Sequence, residues 1–141
     1  MKISKKGLYA LEAMIRLARN YPQPTKISHI AAADDIPQKF LELILLDLKT
    51  ARFVGSLRGA QGGYLLRKPP KEIFLGEIIR AIDGPLAPLA DNESLKRLVK
   101  ADKKHSALYR VFLEVRDATA RILDHASLAQ LTGRPRHPSG S

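Results

Sequence analysis

The chain of 141 residues contains no cysteine. Disulfides, a thiolate nucleophile and cysteine-bound zinc or iron–sulfur clusters are thereby excluded together. Long apolar runs are missing too. Nothing approaches a membrane span, and the opening residues MKISKKGLY lack the apolar core of a signal peptide. No basic amphipathic helix with a Trp/Phe face is present to lie on a membrane. Catalytic patterns are equally scarce: there is no Ser/His/Asp set and no paired carboxylates, and His29, His105 and His125 lie on separate segments. His105 has no second ligand beside it, so it makes no metal site. These absences predict a soluble cytoplasmic protein that is not an enzyme and uses no cofactor or metal. Acidic residues are also few, 14 against 24 Lys plus Arg, which leaves a formal net charge of +10.

What is present fits a single folded chain with a real core, with ordinary apolar and charged fractions and no internal repeat. The positive excess is uneven. Residues 1–72 carry 13 basic and 6 acidic groups, and residues 73–141 carry 11 and 8. A polyanionic partner is favoured, nucleic acid before membrane.

The stretch RFVGSLRGAQGGYLL, residues 52–66, organises the first half. Phe53-Val54 and Tyr64-Leu65-Leu66 flank a tip of Arg58, Gly59, Ala60, Gln61, Gly62 and Gly63, the pattern of a β-hairpin. It lacks the Gly-Lys-Ser/Thr of a nucleotide-phosphate loop and joins strand to strand. An arginine beside a bare turn suits a narrow, negative groove, so the hairpin reads as a wing or as a plain surface hairpin, according to what precedes it.

What precedes it is a helix-turn-helix pattern. Ser4 is placed to cap a helix from Lys5 to about Asn20, with Leu8, Leu11, Ile15 and Ala18 on one face and Met14 and Leu17 widening it. Lys5, Lys6 and Tyr9 then lie near a helix N-terminus, where amides and dipole favour a phosphate. A short helix capped by Ser28 covers residues 28–33, whose three alanines allow close approach of another helix. Pro37 opens a third helix, Gln38 to Ala51, which buries Leu41, Ile44, Leu45 and Leu48, with Phe40 at the edge. Its first turns present Gln38, Lys39 and Glu42 outward, residue types that read adenine, guanine and cytosine edges in a major groove. A wing directly after such a helix is a far more specific signal than any part alone.

These residues resemble the IscR/NsrR/CymR-type bacterial regulators, often called the Rrf-two family. Three motifs carry the resemblance: Lys2, Ile3, Ser4, Lys6, Gly7 and Tyr9 at the start; Arg58, Gly59, Gly62, Gly63 and Tyr64 in the wing; and Asp83-Gly84-Pro85 closing a helix. It covers roughly residues 1–131. It implies a homodimeric winged helix-turn-helix repressor or activator, of which a repressor is the expectation here, on double-stranded DNA with a pseudo-palindromic operator. On the matched positions it implies Gln38, Lys39, Phe40 and Glu42 in the major groove. Arg58 then enters the minor groove, aided by Gln61, and Lys6 and Tyr9 lie near phosphates. Ser28 and the glycines Gly59 and Gly62 join that DNA-binding set. The departure is plain. Residues 85–104, where many relatives carry three cluster cysteines, read PLAPLADNESLKRLVKADKK.

The expected fold class is therefore mostly α with a small β-hairpin, a winged helix-turn-helix domain (1–84) plus a long C-terminal dimerisation helix. Within 85–104, a linker or effector segment, Asn92 to Lys100 forms a short helix or a mobile loop. A small molecule, a protein effector, or no effector at all remains open there. In 105–132, a helix from Ser106 to about Ala126 repeats Leu108, Phe112, Val115, Thr119, Ile122 and Ala126 at steps of 4, 3, 4, 3 and 4. Val111, Ala118 and Leu123 widen this stripe, which needs a partner surface: the chain's own first helix, its symmetry mate, or both. Ser127 caps a last helix, Leu128 to Leu131, ended by Gly133. Residues 133–141 read as a disordered tail. A winged helix that docks a protein is the alternative function, though it has no need of the basic Lys6, Lys39 and Arg58.

Overall fold

Ser4 starts the first helix as its residue type predicts, its Oγ accepting the Gly7 N–H at 2.9 Å. The computed structural model describes residues 2–86 and 92–133. Its order is α1 (Lys5–Asn20), α2 (Ile27–Asp34), α3 (Gln38–Thr50), β1 (Val54–Leu57), β2 (Gly63–Leu66), α4 (Leu75–Asp83), α5 (Asn92–Ala101), α6 (Ser106–Leu123) and α7 (Leu128–Thr132), with a 3-10 turn at Pro70–Glu72. The fold is mostly helical, with one two-stranded antiparallel hairpin. The expected tail lies outside the described residues from 134 onward, as do residues 87–91 of the 85–104 segment.

Helix α1 is the central post. Its buried face is Ala10, Leu11, Ala13, Met14, Leu17 and Ala18, against which α3, α4 and α7 pack. The stripe is turned from the expected one: Leu8 is 49% exposed and Ile15 half-buried. Small Ala10 and Ala13 let neighbouring helices approach closely, a criterion that apolar periodicity does not weigh.

Helix α2 begins one residue before Ser28 and has Lys26 as its N-cap residue, with no side-chain cap bond. Ser28 is an exposed helical residue, not a cap. The backbone ahead of it is already committed, because Thr25 and Tyr64 exchange two 2.8 Å hydrogen bonds that fix where the helix starts. Asp35 leaves the helix in the left-handed conformation (φ 52°), and Ile36 plugs the core at 3% exposure. Arg16 on α1 grips Asp34 at the end of α2 through two 3.0 Å hydrogen bonds, which raise the guanidinium pKa above its ordinary value.

Helix α3 follows Pro37 and buries Leu41, Ile44, Leu45 and Leu48, as expected. The strands then run closer to the tip than the apolar runs suggested, pairing Val54 with Leu66, Gly55 with Leu65, Ser56 with Tyr64 and Leu57 with Gly63. Phe53 is buried but precedes the strand.

The first and last described helices meet the same core. Asp83 at the end of α4 accepts from the Ser4 N–H at 2.9 Å and from the Ser4 hydroxyl, and a Cβ on Gly7 would strike its carboxylate. The opening motif and the Asp-Gly-Pro motif are thus two halves of one contact. Residues after Asp91 form helix α5, which settles the helix-or-loop alternative, and α5 buries Leu95 while packing against α6. Helix α6 ends at Leu123 rather than near Ala126. Asp124 turns to Arg80 in a bidentate pair (2.7 and 2.8 Å), and the Ala126 carbonyl accepts from Leu75 N–H at 2.9 Å. Leu128 and its capping-box neighbour Ser127 then carry α7 into the core beside α1.

Candidate nucleic-acid interface

The wing is held rigidly on three sides. Gly62 is buried, and a Cβ there would meet the Leu57 carbonyl oxygen at 2.2 Å, so only glycine closes this turn. Gly63, at φ 147°, lies so near the Thr25 carbonyl that a Cβ would sit 2.5 Å from its oxygen. Lys49 Nζ donates to Ser56 Oγ at 2.9 Å, tying β1 to the end of α3. Between these ties, Arg58, Gly59, Ala60 and Gln61 are exposed, and Gly59 takes a positive φ of 102° with open space around it. No acid among the described residues pairs with Arg58. A fixed backbone with a free guanidinium at its tip presents a positive charge to an anion without prior rupture of an ion pair.

The first turns of α3 are similarly unoccupied. Gln38, Lys39 and Glu42 are exposed, and no hydrogen bond or ion pair among the described residues engages their side chains. Phe40 differs: its ring packs edge-on against Tyr9, centroids 5.5 Å apart and planes at 76°, so both rings are half-buried between α1 and α3. Lys6 also differs. Its ammonium pairs with Asp47 on α3, and the anion beside the α1 N-terminus is the chain's own Asp83. Lys5, by contrast, is exposed, its Nζ 5.7 Å from the Tyr9 ring centroid.

Two residues outside the expected set join the surface. Lys26 and His29, at the start of α2, line a concavity of about 360 Å³ with Asn20, Pro24, Thr25 and the wing residues Ala60, Gln61 and Gly62. The Thr25–Tyr64 pairing creates this groove, so nothing in the local sequence announces it. Exposed Ser28 sits on the neighbouring surface with His29, Ala32 and Ala33.

Against known families, residues 3–134 match the Rrf2 family, described as iron-dependent transcriptional regulators. The chain belongs to the Rrf2 family. It is a DNA-binding transcriptional regulator, not an enzyme, and the motif resemblance stands. CymR of Bacillus subtilis (strain 168), an HTH-type transcriptional regulator, is 37% identical over 135 residues, covering 93% of this chain and 89% of that one. The solved structure of the B. subtilis CymR, described there as the global cysteine regulator, has a TM-score of 0.80 at 34% identity, covering 94% of this chain and 96% of that one. T. potens IscR has a TM-score of 0.75 at 30% identity, covering 93% and 85% respectively.

Among the described residues, the iron dependence in the family description meets no cluster of donors. There is no thiolate anywhere in the sequence. Among the described residues, no group of three or more His, Asp or Glu could hold an ion. His105 Nδ1 is 3.1 Å from Asp102 Oδ2, a contact that lowers the aspartate pKa, but the pair is exposed and only two groups strong.

Along α6, Leu108, Val111, Val115 and Ile122 are 50%, 52%, 45% and 67% exposed. Phe112 and Thr119 of the expected seam are half-buried, and Ala120 and Leu123 turn toward the core. Val111, placed beside the stripe by sequence, is as open as its members. Among the described residues, no helix is long and apolar enough to cross a membrane.

Proposed function

We propose that the protein is a homodimeric repressor of a pseudo-palindromic operator that works in the cytoplasm without a thiolate-held iron–sulfur cluster. The wing carries this reading: a free Arg58 on a hairpin pinned by Gly62, Gly63 and Thr25. Gln38, Lys39 and Glu42 read base edges in the major groove, and Arg58 with Gln61 enters the adjacent minor groove. Gly59 lets the wing backbone approach the sugar-phosphate rim, and Gly62 holds the turn that makes this possible. Phosphates are met by Ser28 and its neighbours Lys26 and His29, and by Tyr9 with Lys5. Lys6 contributes once phosphate draws it from Asp47.

The exposed row on α6 supports dimerisation, with Leu108, Val111, Val115 and Ile122 covered by the symmetry mate and Phe112 and Thr119 completing the seam. Pairing through residues 105–132 spaces two recognition helices about one DNA turn apart. A small molecule or protein that regulates binding acts on residues 85–104, between the DNA-binding domain (1–84) and the dimerisation helix.

Selection of bound duplexes from a random pool, followed by gel shifts, tests the assignment. Arg58→Ala weakens the selected site by about 1–3 kcal/mol, mostly at A/T-rich positions under the wing. Unchanged affinity at low salt overturns the role of the wing, and affinity that ignores salt overturns phosphate-led binding.

A further inference from the structure

Helix α3 carries two large apolar side chains that the fold leaves uncovered. Leu43 and Leu46 are 60% and 58% exposed, on the face opposite Leu41, Ile44, Leu45 and Leu48. Lys39, Leu43 and Leu46 follow one another at steps of four and three residues, which puts them in one row along the helix. Single exposed leucines are unremarkable on protein surfaces. Two in the row that begins with Lys39, next to Glu42, call for a ligand with both polar and apolar features.

We propose that Leu43 and Leu46 are specificity-determining residues that read thymine methyl groups in the major groove. This rests on the assignment of the α3 face to DNA. Of the four bases only thymine presents a methyl group in that groove, and a leucine side chain, with neither donor nor acceptor, distinguishes bases only through such a contact. The placement agrees. Leu43 and Leu46 lie about 7.5 and 12 Å along the axis from Gln38, roughly one and a half and two turns further along the exposed face of the same helix. The charges agree as well. Lys39 and the chain's net +10 draw this face to a polyanion, whereas the carboxylate of Glu42 repels phosphate. The row therefore faces base edges on the groove floor and not the phosphate rim.

The test uses the full chain and a duplex selected by it from a random pool. Each thymine in turn is replaced by deoxyuridine, which removes the methyl and leaves base pairing intact. Wild-type affinity is expected to fall about fourfold at one or two positions of each half-site, the transfer value of one apolar carbon. Leu43→Ala and Leu46→Ala are each expected to bind the thymine duplex more weakly and to lose the response to uracil at one of those positions. Both leucines are exposed, so circular dichroism of the variants should match wild type. A selected duplex that tolerates uracil everywhere overturns the methyl reading while leaving α3 on DNA. Full uracil sensitivity in both variants overturns it too, because another group then reads the methyl. If α3 does not face DNA at all, no sequence is enriched over non-specific binding, a separate outcome that removes the premise. Variants that match wild type on DNA, with uracil silent, assign the leucines to a protein surface instead.

Discussion

Replacing Ile122 by glutamate tests the dimer through a side chain the monomer does not need. Ile122 is 67% exposed on α6 and belongs to the row with Leu108, Val111 and Val115. Complete burial of an isoleucine is worth about 1.5–3 kcal/mol, so covering its exposed two-thirds in an interface gives about 1–2 kcal/mol per chain. A twofold interface counts the residue twice, for about 2–4 kcal/mol, before any cost of burying the new carboxylates. The dimer dissociation constant of Ile122→Glu is therefore expected to rise roughly 30- to 900-fold. Sedimentation velocity across a concentration series reads this directly. Circular dichroism should stay at the wild-type value, because the α6 contacts to the core run through Ala120 and Leu123 instead. A wild type that is monomeric throughout, or a variant that dimerises within threefold of wild type, refutes the reasoning.

The wing, the Arg80–Asp124 pair and the proposed absence of a cluster each have a test of their own. Gly63→Ala should cost about 1–3 kcal/mol, because alanine is strained at φ 147° and its Cβ would press on the Thr25 carbonyl. Faster hydrogen exchange of the Thr25 and Tyr64 amides, with a lower melting temperature, is the expected readout; exchange at the wild-type rate would show that the tie does not hold the wing. Asp124→Asn should lower stability at neutral pH. Its side chain and that of Arg80 are 36% and 34% exposed, so screening holds the loss to about 1 kcal/mol. Hydrogen bonds from Arg80 hold the Asp124 pKa below the ordinary carboxylate range. The stabilisation is thus complete above that range and is lost as pH falls through the depressed value. Denaturant titrations of the two proteins should converge in acid, and a gap that persists there would contradict the assignment. Protein purified without oxygen should show no absorption beyond the protein bands, and visible iron–sulfur absorption would contradict a cluster-free regulator.

Much of the architecture was legible because local rules and global fold agree. Ser4 caps α1, Pro37 opens α3, and Leu41, Ile44, Leu45 and Leu48 fill the core at helical spacing. Where they disagree, a distant contact decided. Ser28 has the chemistry of a cap, yet the Thr25–Tyr64 pairing starts α2 earlier. Leu8 has the period of a core residue, yet the helices meet α1 over Ala10 and Ala13. Lys6 carries a cation at a helix start, but Asp47 from α3 takes it up, a partner 41 positions away in the chain.

The sequence by itself determined the helix-turn-helix order, the glycine-rich wing, the excess of positive charge and the absence of any thiolate, because these depend on residue type and short spacing. Only the tertiary structure decided which of those groups are free to act. It engaged Lys6 and Phe40 in packing α1 against α3, brought Lys26 and His29 to the wing, and left Arg58, Leu43 and Leu46 uncovered. The physical reason is that exposure and ion pairing depend on which segments the packed core brings together, and local spacing carries little of that information.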